Sequence, residues 1–370
     1  MKAKFFLLIS LVVLLVACRG NVAENQVVTT DSIITQAQLL AMERADGYTL
    51  VTIRDPWKSG GVLHRYVLVP AEAQLPADLP EGTIVRTPLR RALVYSGVHT
   101  SVMRELGVYD AIKGVCDAQF FTDPEVLADI KDGKLADCGS SMAPTIERVI
   151  DMQPDGILLS PYQDATYGQI TALDIPIIEC ADYMETTPLG RAEWVKFYGE
   201  LLGQRERADS LYEAVEQAYN ELKARVGKEG KNTSPLVLTE MVISGIWNVP
   251  GGNSYMARLI QDAGGIHPWA DDKSTGSLNL DFNQVLAVAH DADVWLIKSF
   301  NIHTYADLKG AYSLNDQFEA FKQHKVYVCD TNATRFYERF PFHPDILLLE
   351  YYNLLNHHLD QLQFFKPLEQ

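Results

Sequence analysis

The side chains with the widest chemical reach stand just behind short apolar runs. Tyr95, Ser96 and His99 follow or close the run 91–95, Asp117 and Phe120 follow 112–115, and Tyr162 and Gln163 follow 156–159. Further on, Trp247 and Asn248 follow 236–238, Ser299 and Phe300 follow 294–297, and Arg335 and Tyr337 follow 325–329. The set is rich in rings. Rings offer broad apolar faces that stack on flat groups, while hydroxyl and indole N–H groups add directed hydrogen bonds. Arg335 or Arg339 can fork onto a carboxylate. Trp247 leads the set, because the turn Pro250-Gly251-Gly252 behind it is expected to keep it in a loop. This chemistry suits the holding of a bulky small molecule.

Chemistry of other kinds finds little support. There is no GxSxG elbow, HExxH, P-loop or glycine-rich dinucleotide fingerprint after a strand, so none of these catalytic signatures points to an enzyme. Nine histidines occur without a His-rich tract, and His357 and His358 are adjacent, so on a helix they point apart. A bare zinc or manganese site, which uses several His and carboxylates, therefore stays a minor alternative. The formal charge of −16 repels phosphate backbones, so nucleic acid is not an expected partner. Cys116, Cys138, Cys180 and Cys329 show no CxxC spacing. Cys116 and Cys138 either pair as a disulfide or remain, with the others, buried free thiols.

The elements that must position these residues are α/β. With 370 residues, 47% hydrophobic and 22% charged, the chain suits two lobes more than one small core. Runs 48–53 and 65–69 flank a turn with Asp55-Pro56 and Gly60-Gly61 and read as a hairpin against the first lobe. Apolar strands at 91–95, 112–115, 156–159 and 176–179 then alternate with helices at 100–106 and 146–152. That pattern indicates a parallel sheet covered on both faces. Thr187-Pro188 opens a helix, and apolar residues recur at steps of three or four to Val226, with one lapse at 203–207 that marks a candidate kink. Such a helix reaches roughly 55 Å and serves as a strut between lobes. After the break 227–234 the pattern restarts: strands 236–238, 294–297 and 325–329, and helices 254–263, 282–289 and 345–362. The halves echo each other weakly, since 147–150 leads through 154–155 into 157–159 as 283–286 leads through 292–293 into 294–296.

The N-terminus carries a signal of its own. Lys2 and Lys4 precede an apolar stretch from Phe5 to Val16 that ends in Leu15-Val16-Ala17-Cys18. A basic start, a short apolar core and small residues before a cut site make a secretory signal, and the stretch is too short to span a bilayer as a mature helix. The ending resembles a bacterial lipobox, which implies cleavage before Cys18 and lipid on that residue. The expected organisation is a signal peptide at 1–17, a lipid-anchored tether at 18–30, an N-terminal lobe at 31–186, a connecting helix at 187–228 and a C-terminal lobe at 232–370.

Four further features carry a resemblance over about 80 to 355. They are Ser96-Gly97-Val98-His99, the run from Thr145 to Asp155, the block from Ala181-Asp182-Tyr183 to Trp194, and Ala263-Gly264-Gly265. The chain is similar to the periplasmic substrate-binding proteins of ABC importers for iron–siderophore complexes, haem and cobalamin. The resemblance implies two Rossmann-like lobes with parallel sheets, joined by one long backbone helix around a ligand cleft. It implies a monomer without catalysis or cofactor, held to the membrane by lipid alone on the periplasm-facing or cell surface. Its ligand is then a metal chelate (ferric siderophore, haem or cobalamin), delivered to a permease driven by a cytoplasmic ATPase. His99 becomes a candidate axial ligand to iron or cobalt, and Tyr95 or Tyr162 a candidate phenolate ligand. In the family a glutamate on each lobe engages the permease. Glu147 matches the first position; the second falls on Asn283, with Asp281 two residues away as a substitute. An extracytoplasmic enzyme, sensor or adhesin reusing the fold stays as a further alternative.

Overall fold

The computed structural model describes residues 33–229 and 234–370. The expected signal peptide and the whole of the tether, Cys18 included, lie outside the described residues. In the first lobe five strands run parallel in the order Ile177–Glu179, Gly156–Leu159, Ala92–Val94, Ile112–Val115 and Ala136–Asp137. Every residue of Ala92–Val94 and Gly156–Leu159 is buried, which explains why these segments are continuously apolar instead of alternating. The second lobe orders Val237–Thr239, Val294–Lys298 and Val326–Cys329 in parallel, with Phe365–Pro367 antiparallel at the edge. Each lobe buries its own core: Val94, Leu158 and Ile178 lie with Phe197 in the first, and Leu238, Trp295 and Val328 with Phe318 in the second. Cys116, Cys138, Cys180 and Cys329 are buried free thiols. Among the described residues no helix is long and apolar enough to cross a membrane.

The expected hairpin is part of a four-stranded sheet: Leu40–Ala45, Tyr48–Arg54, Val62–Pro70 and Thr83–Thr87. Strand Tyr48–Arg54 alternates buried and half-buried positions, so one face packs inward. The sheet is fastened to the first lobe by polar contacts. Tyr66 donates its hydroxyl to the Ile177 carbonyl and accepts the Glu179 N–H, both at 2.9 Å. Ahead of the first strand, the backbone N–H groups of Thr35, Gln36 and Ala37 donate to the buried Glu193 carboxylate at 2.6 to 3.1 Å. Those of Gln38 and Leu39 donate to Glu185 at 2.9 Å. Burial alone raises the Glu193 carboxyl, but the N–H donors of Ala37, Thr35 and Gln36 outweigh it and hold the group below its ordinary value.

The single long helix is corrected to three pieces: Pro188–Glu193, Val195–Leu202 and Arg205–Glu229. Thr187 caps the first, accepting the Gly190 N–H, with Pro188 following. Between the first two pieces the indole of fully buried Trp194 donates to Glu185 at 2.9 Å. The second break is Gly203 in the left-handed region at φ 67, packed so closely that a Cβ there would meet Pro88 Cβ at 3.1 Å. The lapse at 203–207 is thus a break into a new helix, not a kink in a continuous one, and it brings Lys196 of one piece over the Tyr212 ring of the next at 4.5 Å. The last piece continues through Gly227 and is 25 residues long, about 37 Å. The final helix is Pro344–Leu355 and stops short of 362, because His357 turns to φ 60. His357 and His358 therefore lie beyond it.

The lobes also meet through side chains. Arg335 donates to Asp123 at 2.7 Å. Glu338 accepts the N–H groups of Thr122 at 2.9 Å and Asp123 at 3.3 Å. His343 pairs with Glu105 at 2.8 Å, and Phe342 sits edge-on to Tyr198 with ring centroids 5.5 Å apart.

The Glu193 contacts give a stability prediction. Glu193→Ala strands three N–H donors and Lys196, which sits 3.0 Å from that carboxylate. It should cost about 3 kcal/mol, seen as a lower urea midpoint. A loss below about 0.5 kcal/mol would show that this contact does not hold the N-terminal sheet.

Candidate functional site

The carboxyl ends of both parallel sheets open on one cleft, the usual ligand position in open α/β sheets. Its main cavity measures about 830 Å³, within the span of about 300–1,000 Å³ of small-molecule sites. The first lobe contributes Tyr162, Gln163, Tyr183 and Met184, and the second contributes Glu240, Met241, Asn248, Tyr255, Met256, Lys298 and Tyr337. A second cavity of about 700 Å³ shares Tyr337 and is lined by Tyr95, Ser96, Phe120, Phe300 and Glu338 among others. Phe120, Phe300 and Tyr337 are 75%, 59% and 60% exposed. Large rings left this open are costly unless something covers them.

Among the described residues that line the main cavity, Lys298 and Glu240 pair with each other. Lys298 Nζ lies 2.5 Å from Glu240 Oε1, and its ammonium faces the Phe336 ring at 5.2 Å. Burial disfavours the charge on Lys298, yet the Glu240 carboxylate, with Tyr351 and Tyr337 nearby, wins and raises its pKa. Arg191 on the spine orients Tyr255, donating to its hydroxyl at 2.5 Å while its Nε holds Asp182 at 3.0 Å. Ser254 caps helix Tyr255–Asp262 by accepting the Ala257 N–H. Burial pushes the Tyr183 hydroxyl up to about 12, so it is a hydrogen-bonding phenol at neutral pH.

Eight of the expected residues come together here: Tyr95, Ser96, Phe120, Tyr162, Gln163, Asn248, Phe300 and Tyr337. Five do not. Trp247 is fully buried because it belongs to strand Ile246–Pro250, where alternation turns Trp247 and Val249 inward and Asn248 outward. Its indole donates to the Thr239 carbonyl at 3.0 Å and its ring stacks on Trp295 at 5.6 Å. His99 lies inside helix Gly97–Glu105, fully buried, 6.1 Å from the Tyr198 ring centroid. It cannot reach a metal in the cleft. Asp117 takes φ 54 and its carboxylate accepts the Ser141 N–H at 3.1 Å, outside both cavity walls. Ser299 is buried and donates to Asn301 at 2.6 Å. Arg335 is engaged with Asp123 across the lobes, and Arg339 stacks over Phe364 at 4.9 Å, so neither offers a free fork. Tyr95 meets the second cavity, but its hydroxyl is buried beside the Cys116 thiol, and burial together with that thiol raises it strongly, which disfavours a phenolate.

Sequence reasoning missed Tyr183, Glu240, Tyr255, Lys298 and Trp57. The strand-end rule contains the signal for three: Tyr183 follows 177–179, Glu240 follows 237–239, and Lys298 closes 294–298. Nothing in the sequence pointed Trp57, at the tip of the N-terminal hairpin, toward this cavity.

Residues 101–333 match the family described as periplasmic binding protein, and the chain belongs to that family. An uncharacterized lipoprotein of Methanocaldococcus jannaschii, MJ0878, is 28% identical over 67% of this chain and 61% of its own length. The petrobactin-binding protein YclQ of Bacillus subtilis is 24% identical over 50% of this chain and 56% of its own. The chain thus spans about three fifths of the length of these curated relatives. Among solved structures, the periplasmic haem-binding protein HutB of Vibrio cholerae superposes with TM-score 0.55 at 16% identity, covering 72% of this chain and 99% of that one.

His99 gives a pH prediction. Burial pushes its pKa down to about 3, against about 6.5 unfolded. Between those values the unfolded chain takes up a proton that the native one refuses, so stability falls as pH drops through the window, by about 1.4 kcal/mol per unit. His99→Phe removes this term. The wild-type unfolding free energy relative to the variant should drop by about 2 kcal/mol between pH 7 and pH 5. An unchanged difference in urea melts would contradict a buried neutral imidazole.

Proposed function

We propose that this chain is an extracytoplasmic solute-binding lipoprotein that captures a metal chelate, a ferric siderophore or haem or cobalamin, and hands it to an ABC permease. The carrying observation is the cleft of about 830 Å³ between the two sheets, walled by Tyr162, Tyr183, Tyr255 and Tyr337. Phenol rings supply apolar area and hydroxyl groups toward a bulky organic ligand. Among the described residues no three His, Cys, Asp or Glu side chains are grouped to hold a metal ion. The lining's charges, Lys298 and Glu240, neutralise each other, which favours a chelate of low net charge over a polyanion. A petrobactin-binding relative and a haem-binding structural neighbour support the ligand class, and lipoprotein relatives support membrane anchoring. On this reading the protein acts as a monomer and anchors through Cys18.

The proposed permease contact lies on helix starts. Glu147 is exposed in the first turn of helix Ile146–Met152. In the second lobe Asn283 is exposed in the first turn of Phe282–Ala289, while Asp281 forms a capping box with Gln284. Asp281 is therefore partly engaged, and Glu147 is the stronger contact.

Two measurements test this reading. Titration of the purified protein with haem, a ferric siderophore and cobalamin should give saturable one-to-one quenching of tryptophan fluorescence by at least one, with a Soret shift if it is haem; silence toward all three would remove the chelate reading. Glu147→Ala should leave chelate affinity within about two-fold and lower uptake in cells. Lost affinity at normal stability would place Glu147 in the cleft instead.

A further inference from the structure

The cleft has a third wall that belongs to neither lobe. Pro56 and Trp57 line the main cavity together with Tyr162 and Gln163 from one side and Ile243 and Asn248 from the other. They sit at the tip between strands Tyr48–Arg54 and Val62–Pro70. This sheet precedes residue 101, where the family match begins.

The tip is built, not loose. Asp55 accepts the N–H groups of Trp57 at 2.8 Å and Lys58 at 3.1 Å. The Asp55 N–H donates to the Gly61 carbonyl at 3.0 Å, and the Gly61 N–H to the Lys58 carbonyl at 2.8 Å. A Cβ on Gly61 would lie 2.9 Å from that carbonyl oxygen, so glycine is needed for the turn to close. The sheet behind the tip is tied to the first lobe through Tyr66, His64 and Glu179. The indole is thereby carried on a rigid arm. It is half-buried, and among the described residues no ring stacks on it. Ile243, which lines the same cavity, is 61% exposed. An unstacked indole facing a cavity is poised to stack on a flat ligand.

We propose that Trp57 is a ligand-contacting, specificity-determining residue, and that the site takes a chelate with a flat conjugated face, of the catechol or porphyrin type. The inference rests on the chelate reading above and narrows it. The arm closes the side of the slot left open between the lobes, and the indole covers one face of the ligand's ring while the cleft tyrosines meet its edges. A chelate without conjugated rings gains little from this wall.

The experiment compares wild type, Trp57→Ala and Trp57→Phe by calorimetric titration with three probes: haem, a ferric catecholate and a ferric trihydroxamate that carries no ring. Trp57→Ala should weaken a ring-bearing probe about ten-fold or more, Trp57→Phe should recover most of that loss, and the ringless probe should change less than about two-fold. Thermal melts of both variants should match wild type, because the side chain sits at a turn tip outside the cores. Unchanged affinity in Trp57→Ala, or an equal loss for ringed and ringless probes, overturns the role of Trp57 while leaving chelate capture standing. Failure of wild type to bind any of the three overturns chelate capture, and this inference with it.

Discussion

The width and shape of the cleft depend on a charge cluster at the lobe boundary. Asp123 from the first lobe holds Arg335 from the second at 2.7 Å, while Glu338 accepts the N–H groups of Thr122 and Asp123. Asp123 also caps helix Pro124–Lys131 by accepting the Glu125 N–H. One carboxylate therefore fixes a helix start in one lobe and a guanidinium in the other. Removing one partner from such a half-buried set leaves the others uncompensated. Arg335 sits at φ 52, a left-handed conformation that a non-glycine residue keeps only when its surroundings hold it. With Phe342 inserted beside Tyr198, this cluster sets where the walls of the slot stand.

The spine and the N-terminal sheet share a second device. Five successive N–H groups, from Thr35 to Leu39, enter two buried carboxylates on the spine side, Glu193 and Glu185. A chain segment that has not yet entered a sheet must still satisfy its donors, and here that need joins the sheet to the helices. Glu185 also receives the Trp194 indole at the first helix break. The break and the sheet are thus one construction, and the spine is segmented because it must hold the N-terminal sheet as well as two lobes.

Much of the architecture was legible. Segments 92–94 and 156–159 announce buried parallel strands by lacking any polar alternation, and Thr187-Pro188 announces a helix start that the structure keeps. Strand ends led to eight cleft residues, because topology alone places strand ends at the slot. The failures have separate causes. Trp247 was misplaced because a five-residue strand gives too few alternations to distinguish from a loop. Arg335 was read as free because its partner, Asp123, is 212 residues away. His99 stands in a polar-looking segment, yet the helix turns it inward. Trp57 was invisible because hairpin orientation depends on tertiary fastening at Tyr66 and Glu179. The segmentation at Trp194 was hidden because both neighbouring pieces keep the same apolar period.

The central claim is that a metal chelate lodges between the two sheet ends. Crystals of the protein loaded with a ferric chelate, measured at the iron absorption edge, test this most directly. The account predicts one anomalous peak inside the cavity bounded by Tyr162, Tyr255 and Tyr337, with no protein His or Cys in contact with the metal. A peak on the outer faces of the lobes, or an empty cavity in protein that carries stoichiometric iron, would contradict it.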